Sequence, residues 1–540
     1  MTAVALGLRL GRWGIAGFSV LAFVSSLVQA LGFYQLAGHT PEQRAAFAQS
    51  MARLASQLTL ILPPPTRLDT VGGYVEWRSF GGLALVFAVW ALVSASGAAR
   101  GDEERGLVES VLAAGFPRFA WIASRVAGFA VASLIAALAG GLGLVAGAAT
   151  AGESVGLLPI LEVAAALAAL GLSCYSVTLL IAQLASARIA TAAAGAVLLV
   201  LFFANTLSRT FTWLSSWRQL SPFHYYELNQ PLAPGGEFHE RATLTLVGIA
   251  IVAAAAAAVL FESRDLGSPA LTLPVRPRPV SYEPSRSPMW RIAFVRGLYE
   301  RRVGLAMWAA GLAAVGAVFV SLTKTIIQPL LSIPALTHFF GGFVGGQLYT
   351  SFLGYFWLSF AQLLFAGFAI AQVARWSAED GDGRLELMLS TPQSRSAVVV
   401  ERALVLTLGA LVIAAVSEVA VLVASHYQAM DVSTQKVTEA SLLLVPFALV
   451  FAAAGSVLAA WNPRAAVGLL GALAFASYLL AEVGPIFKWP DWVQDLSAFK
   501  LFGMPLSSGL DRSGLAIMLA IIVVGFGASI LVMERRDVGA

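Results

Sequence analysis

The sequence predicts an all-α membrane protein built as two homologous six-helix halves with pseudo-two-fold symmetry. Three observations predict it. Of 540 residues, 58% are apolar and 12% are charged, whereas an average soluble domain carries roughly 25% charged residues. The apolar residues fall in twelve runs of about the 20 residues needed to cross a bilayer. Charged loop motifs from the first half then return, in order, in the second. A soluble enzyme is excluded, because surface-to-volume scaling leaves too little interior to hide so much apolar side chain. Disorder is excluded too, since it requires low hydrophobicity and high net charge.

The runs lie at about 14–37, 79–99, 119–149, 157–184, 189–207 and 242–261, then at about 303–322, 352–373, 398–424, 440–460, 464–485 and 514–533. They are continuously rich in Ala, Leu and Gly without alternation, which favours helices over a barrel. The first run is too long for the apolar region of a signal peptide and is followed by no A-x-A-like site, so a retained span is expected. The third run is long enough to include a re-entrant or interfacial piece. Arginine placement sets the expected orientation. With both termini inside, the short loops carrying Arg100, Arg105, Arg118, Arg125, Arg188, Arg375, Arg384, Arg395, Arg402 and Arg464 all become cytoplasmic. The single cysteine, Cys174, rules out a disulfide framework.

The duplication is visible in the loops. ERGLVESVLAAGFPR, ending at Arg118, aligns with GDGRLELMLSTPQSR, ending at Arg395 (395 − 118 = 277), which pairs Glu109 with Glu386 and Arg125 with Arg402. LSPF (220–223) matches LSAF (496–499), and FESRDLGS matches MERRDVGA, pairing Asp265 with Asp537 (537 − 265 = 272). Near the start of each half GRWG resembles ERRVG, pairing Gly14 with Gly304 (304 − 14 = 290). The drop in offset implies a longer first external loop in the first half, around Pro63, Pro64 and Pro65. The expected organisation is a first half at 1–268, a proline-rich cytoplasmic linker at 269–290 and a second half at 291–540. After the linker, Trp290, Phe294 and Leu298 share one face among arginines, the pattern of a helix lying in the membrane interface.

The segments after the second and eighth runs carry the mechanism. In the first, Asp102, Glu103 and Glu104 head a short stretch in which Leu107, Val108, Val111 and Leu112 form one helical stripe, stopped by Gly115 and Pro117. In the second, Glu379, Asp380 and Asp382 precede Leu385, Met388 and Leu389, stopped by Pro392. A short amphipathic helix with an acidic head, present twice, suits docking onto another protein. These residues resemble the loop between the second and third spans of ABC type-2 exporter permeases, in their fused twelve-span form. The second copy is the closer match, through Gly383, Arg384, Leu385, Glu386, Leu389, Thr391, Pro392, Ser394 and Arg395; the first has Ala114-Gly115-Phe116-Pro117 where that family has Thr-Pro. The resemblance implies that Asp102, Glu103, Glu104, Arg105, Glu109 and Arg118, with Glu379, Asp380, Asp382, Arg384, Glu386 and Arg395, couple the chain to an ATPase. It further implies export of drugs, antibiotics or lipids from a bacterial cell across the inner membrane.

A Walker A loop needs Gly before its Lys, but Lys324, Lys436, Lys488 and Lys500 follow Thr, Gln, Phe and Phe. The chain is therefore expected to bind no cofactor and catalyse no reaction. ATP and Mg would sit on a separate ATPase subunit, most simply two copies for two coupling segments, and no nucleic-acid partner is implied. The resemblance also places a substrate cavity between the second and fifth spans of the halves, nominating Phe87, Trp90, Phe202, Phe203, Asn205, Trp357, Phe360, Phe365 and Tyr478. Glu418 lies about two turns inside the ninth run, where a carboxylate is costly, and is a candidate proton site or contact for a cationic drug. The five histidines have no metal-binding spacing. The competing class is a twelve-span ion-coupled secondary transporter, also built of repeats.

Overall fold

A computed structural model describes residues 3–57, 63–185, 187–209, 212–271, 292–331, 348–381, 383–430, 432–485 and 487–536. The chain divides into two units, Met1–Arg278 and Pro279–Ala540. Among the described residues there is no strand, and twelve helices are long and apolar enough to cross a membrane. In the first unit these spans are Ala3–Ala37, Val71–Glu104, Arg118–Ala149, Leu157–Leu184, Ala187–Leu207 and Glu240–Ser263, numbered 1 to 6. In the second they are Ala293–Leu331, Leu348–Gly381, Arg395–Tyr427, Thr434–Trp461, Pro463–Val483 and Arg512–Arg535, numbered 7 to 12. The proline-rich 272–291, Asp382 and Asp537 lie outside the described residues.

Each unit packs its spans by the same scheme. Span 4 is the hub of the first, touching spans 2, 3, 5 and 6, while span 1 lies along span 3; span 10 is the hub of the second, touching spans 8, 9, 11 and 12, while span 7 lies along span 9. The hubs have the most buried apolar windows of their units, 61% for span 4 and 67% for span 10. Close approach comes from small residues, as expected where lipid gives helices no hydrophobic reason to associate. A Cβ added to Gly7 of span 1 would lie 2.4 Å from the Ser124 carbonyl and 3.0 Å from Gly128. A Cβ on Gly297 of span 7 would meet Val405 at 2.9 Å. Gly7 and Gly297 are 290 apart, and Gly128 and Val405 are 277 apart, so the same helix faces meet in both units at the offsets of the loop motifs.

Two expectations are corrected. Span 3 is one continuous helix, Arg118–Ala149, about 48 Å long at 1.5 Å per residue, with no re-entrant piece. Phe294 and Leu298 belong to a helix that runs unbroken from Ala293 into span 7, so they form no separate interfacial helix; nothing between them and the span, neither Gly nor Pro at a breaking position, stops helix propagation. Span 2 is longer than its apolar run because π-turns at Glu76–Phe80 and Gly97–Gly101 carry it past polar residues. At the first, the Tyr226 hydroxyl donates to the Phe80 carbonyl at 3.0 Å. The half-buried Glu76 carboxylate accepts the N–H groups of Leu232 and Ala233 at 3.3 and 3.0 Å.

The repeated LSPF and LSAF motifs start short helices, Pro222–Glu227 and Ala498–Phe502. Phe223 packs edge-on to Phe202 of span 5 at 5.3 Å, and Phe499 packs edge-on to Tyr478 of span 11 at 5.5 Å. Both pairs stand 276 apart in sequence (478 − 202 and 499 − 223).

Candidate functional site

At one end of each unit, short helices Leu107–Ala113 and Arg384–Leu389 join spans 2 to 3 and 8 to 9. Each follows a glycine in the left-handed region, Gly106 at φ 69° and Gly383 at φ 71°, a conformation that costs other L-residues roughly 1–2 kcal/mol. That turn swings the chain off the end of the span and lays the next residues across it. The apolar stripe then anchors the helix on its own unit. Val108 is buried, and Leu385 is buried with Val398, Val399, Ala460 and Met533, with Met388 and Leu389 packed alongside.

The acidic heads divide into a buried and an exposed set. Asp102 pairs with Arg125 of span 3 and with Arg105 at 2.7 Å. Glu103 pairs with Arg100 at 3.0 Å and with Arg264 just past span 6. The side chains of Asp102 and Glu103 are only 3% and 5% exposed. In the second unit Glu379 pairs with Arg402 of span 9 at 3.0 Å, and Asp380 pairs with Arg536 past span 12 at 2.6 Å. The pairs correspond: Asp102 to Glu379, Arg125 to Arg402 and Glu103 to Asp380 at offset 277, and Arg264 to Arg536 at offset 272. Carboxylates withdrawn from water need charged partners within the fold, so these four serve internally. Glu104, Arg105 and Glu109, with Arg384 and Glu386, are exposed on the outer side of the same segments.

Two further arginines close helix ends. The last carbonyls of a helix have no intrahelical donor, and positive charge is favoured there. Arg118 Nη1 donates to the carbonyls of Phe261, Glu262 and Arg264 at 3.1, 3.3 and 2.9 Å. Arg395 Nη1 donates to those of Met533 and Glu534 at 2.8 and 3.3 Å, and to that of Arg536. Arg118 and Arg395 thus tie the end of each interspan segment to the last span of its unit. In the first unit Arg100, brought round by the second π-turn, also donates to the carbonyls of Ala182 and Ala185 at 2.8 and 2.7 Å, closing span 4. Beyond setting orientation, sequence reading assigned no role to Arg100, Arg264 or Arg536. Its one pointer to the last two was the repeated Arg-Asp in FESRDLGS and MERRDVGA.

The residues nominated inside the spans occupy separate settings. Phe87 is fully buried and meets Trp90 edge-on at 5.6 Å. Trp90 also stacks on Phe18 of span 1 at 4.4 Å. Phe202 and Phe203 contact each other at 5.6 Å, with Phe203 39% exposed. Asn205 is completely buried, and its amide has no hydrogen-bond partner. Trp357 and Phe365 are fully buried, while Phe360 lies against Phe319 at 4.8 Å. Glu418 accepts from the Thr438 hydroxyl of span 10 at 2.6 Å. Trp90 alone of these also lines an open groove of about 320 Å³ in the first unit, together with Gly11, Asp102, Arg105, Arg125 and Tyr175. Among the described residues no three His, Cys, Asp or Glu side chains gather as a metal site would require.

Among the described residues, twelve helices long and apolar enough to cross a membrane, with few charges inside them, mark a polytopic membrane protein. The chain belongs to the family described as "Multidrug efflux system permease Rv1217c, C-terminal domain", whose family model matches residues 1–262 and 297–533. No curated protein matches the chain. The protein is thus a multi-pass membrane protein of an efflux-permease family.

Proposed function

We propose that the chain is the permease subunit of an ATP-driven ABC exporter for hydrophobic or amphipathic small molecules. In this reading it sits in a bacterial inner membrane with both termini cytoplasmic. ATP and Mg are handled by a separate ATPase, two copies of which dock on the segments after spans 2 and 8. The observation that carries the reading is the doubled arrangement: each unit holds a short interspan segment with exposed charged side chains on a base of buried ion pairs. A partner that grips Glu104 and Glu109 on one segment, and Arg384 and Glu386 on the other, would move whole spans, because Arg118 and Arg395 fasten each segment to the last span of its unit. Closing of the ATPase pair on ATP would then bias the halves between inward-open and outward-open states through its differential affinity for them. The family's efflux description supports outward transport.

Charge reversal at the two corresponding exposed acids tests the docking. The double variant Glu109→Lys, Glu386→Lys should no longer co-purify with a P-loop ATPase and should lose export in cells, while its thermal unfolding midpoint stays put, since both positions are exposed. Undiminished co-purification and export would overturn the assignment.

A further inference from the structure

The groove beside Trp90 exists where the two units differ. Gly11 in span 1 corresponds to Arg301 in span 7 (301 − 11 = 290). Arg301 lies within electrostatic range of Arg375, Glu379 and Arg402, the last two being the counterparts of Asp102 and Arg125. In the first unit Gly11 brings no side chain there, and a Cβ built on it meets nothing within 4 Å among the described residues. The space is instead the groove of about 320 Å³, lined at one end by Asp102, Arg105 and Arg125 and at the other by Ile15, Trp90 and Phe129.

Three features define what fits. Charge comes first: the polar end holds the guanidiniums of Arg105 and Arg125 against the single carboxylate of Asp102, a net positive charge, and the buried Arg125 Nε has no hydrogen-bond partner. Shape comes second. Asp102 and Trp90 are 12 residues apart on span 2, about 18 Å along a helix, a little more than half of a hydrocarbon core about 30 Å thick. Such a slot, cationic at the mouth and one leaflet deep, suits an extended chain better than a compact ring system. Access comes third: Leu10 and Val93 line the groove and are 43% and 62% exposed, so it opens on the apolar flank of the unit, where bilayer lipid is concentrated.

We propose that the cleft between spans 1, 2 and 3 of the first unit is a binding site for an anionic phospholipid, its headgroup held by Arg105 and Arg125 and one acyl chain laid along Gly11, Trp90 and Phe129. Basic pockets between spans are a recurrent means of holding such headgroups. The second unit has its own cation, Arg301, in the corresponding place. The site rests only on the protein's being embedded in a bilayer, not on the ATP-driven reading.

Gly11→Leu is the test variant, because its side chain enters open space and leucine is a better helix former than glycine. The full chain is reconstituted in nanodiscs of phosphatidylcholine with or without phosphatidylglycerol, and bound lipid is read by native mass spectrometry after extraction. Wild type and Gly11→Ala should retain phosphatidylglycerol in preference to phosphatidylcholine. Gly11→Leu should lose that preference while keeping the wild-type unfolding midpoint in pure phosphatidylcholine. Arg105→Gln should weaken retention about fivefold, the effect of one arginine near a headgroup. Equal retention of the two lipids by wild type, or undiminished phosphatidylglycerol on Gly11→Leu, would overturn the proposal. So would a groove occupied by a soluble anion rather than a lipid.

Discussion

Asp102 and Glu379 are separated by 277 positions, yet each meets an arginine from the following span in the same way. Arg118 and Arg395 reach backbone carbonyls more than 130 residues along the chain. Such repeated detail cannot come from the spans' shared apolar composition; it comes from particular charges kept in register. Removing one member of a buried ion pair leaves its partner charged and unsolvated, a loss of about 3–5 kcal/mol. Asp102→Ala should therefore destabilise the first unit by that amount, and Glu379→Ala the second by a similar or smaller amount, since Glu379 is more exposed at 17%. Thermal unfolding in detergent measures both. Sequence reading found these acids without their partners: a run of Asp and Glu at a helix head suits a solvated docking face equally well until the arginines opposing it are known. Those arginines lie in other spans, and one-dimensional spacing does not reveal which of them are near.

At the scale of elements, the interspan helix is the unit that depends on a single backbone choice. Gly106 and Gly383 adopt the left-handed conformation, and a Cβ at either would meet nothing within 4 Å. Substitution by alanine therefore costs conformational energy alone, roughly 1–2 kcal/mol. Gly106→Ala and Gly383→Ala should each lower the unfolding midpoint and weaken ATPase co-purification, and asparagine at the same positions should do less damage, because it tolerates this region better. The apolar stripes of both helices were legible from spacing, and Val108 and Leu385 are indeed their buried anchors. Span 3 and the start of span 7 were not legible in the same way: an apolar run says where a helix is apolar, not where it ends. The short helices begun by LSPF and LSAF were visible only as matching motifs. Their purpose, pressing Phe223 and Phe499 against spans 5 and 11, required contacts between distant segments.

For the whole molecule, the ATP-driven reading makes a demand that the ion-coupled alternative does not. Reconstituted alone in vesicles under a proton or sodium gradient, the chain should move no substrate. Transport should begin when the P-loop partner and ATP are supplied, and gradient-driven transport by the chain alone would support the secondary-transporter class instead. The membrane class, the twelve helices and the recurrence of motifs were determined by sequence alone, because bilayer thickness sets span length and forces every backbone polar group into a helix. Tertiary structure decided which charges face inward, which arginines close which helices, and that Gly11 opens a groove where Arg301 supplies a cation. These depend on helix rotation and on which spans become neighbours. In a lipid solvent those are set by close fit between small residues and by pairing of buried charges, neither of which leaves a periodic mark on the chain.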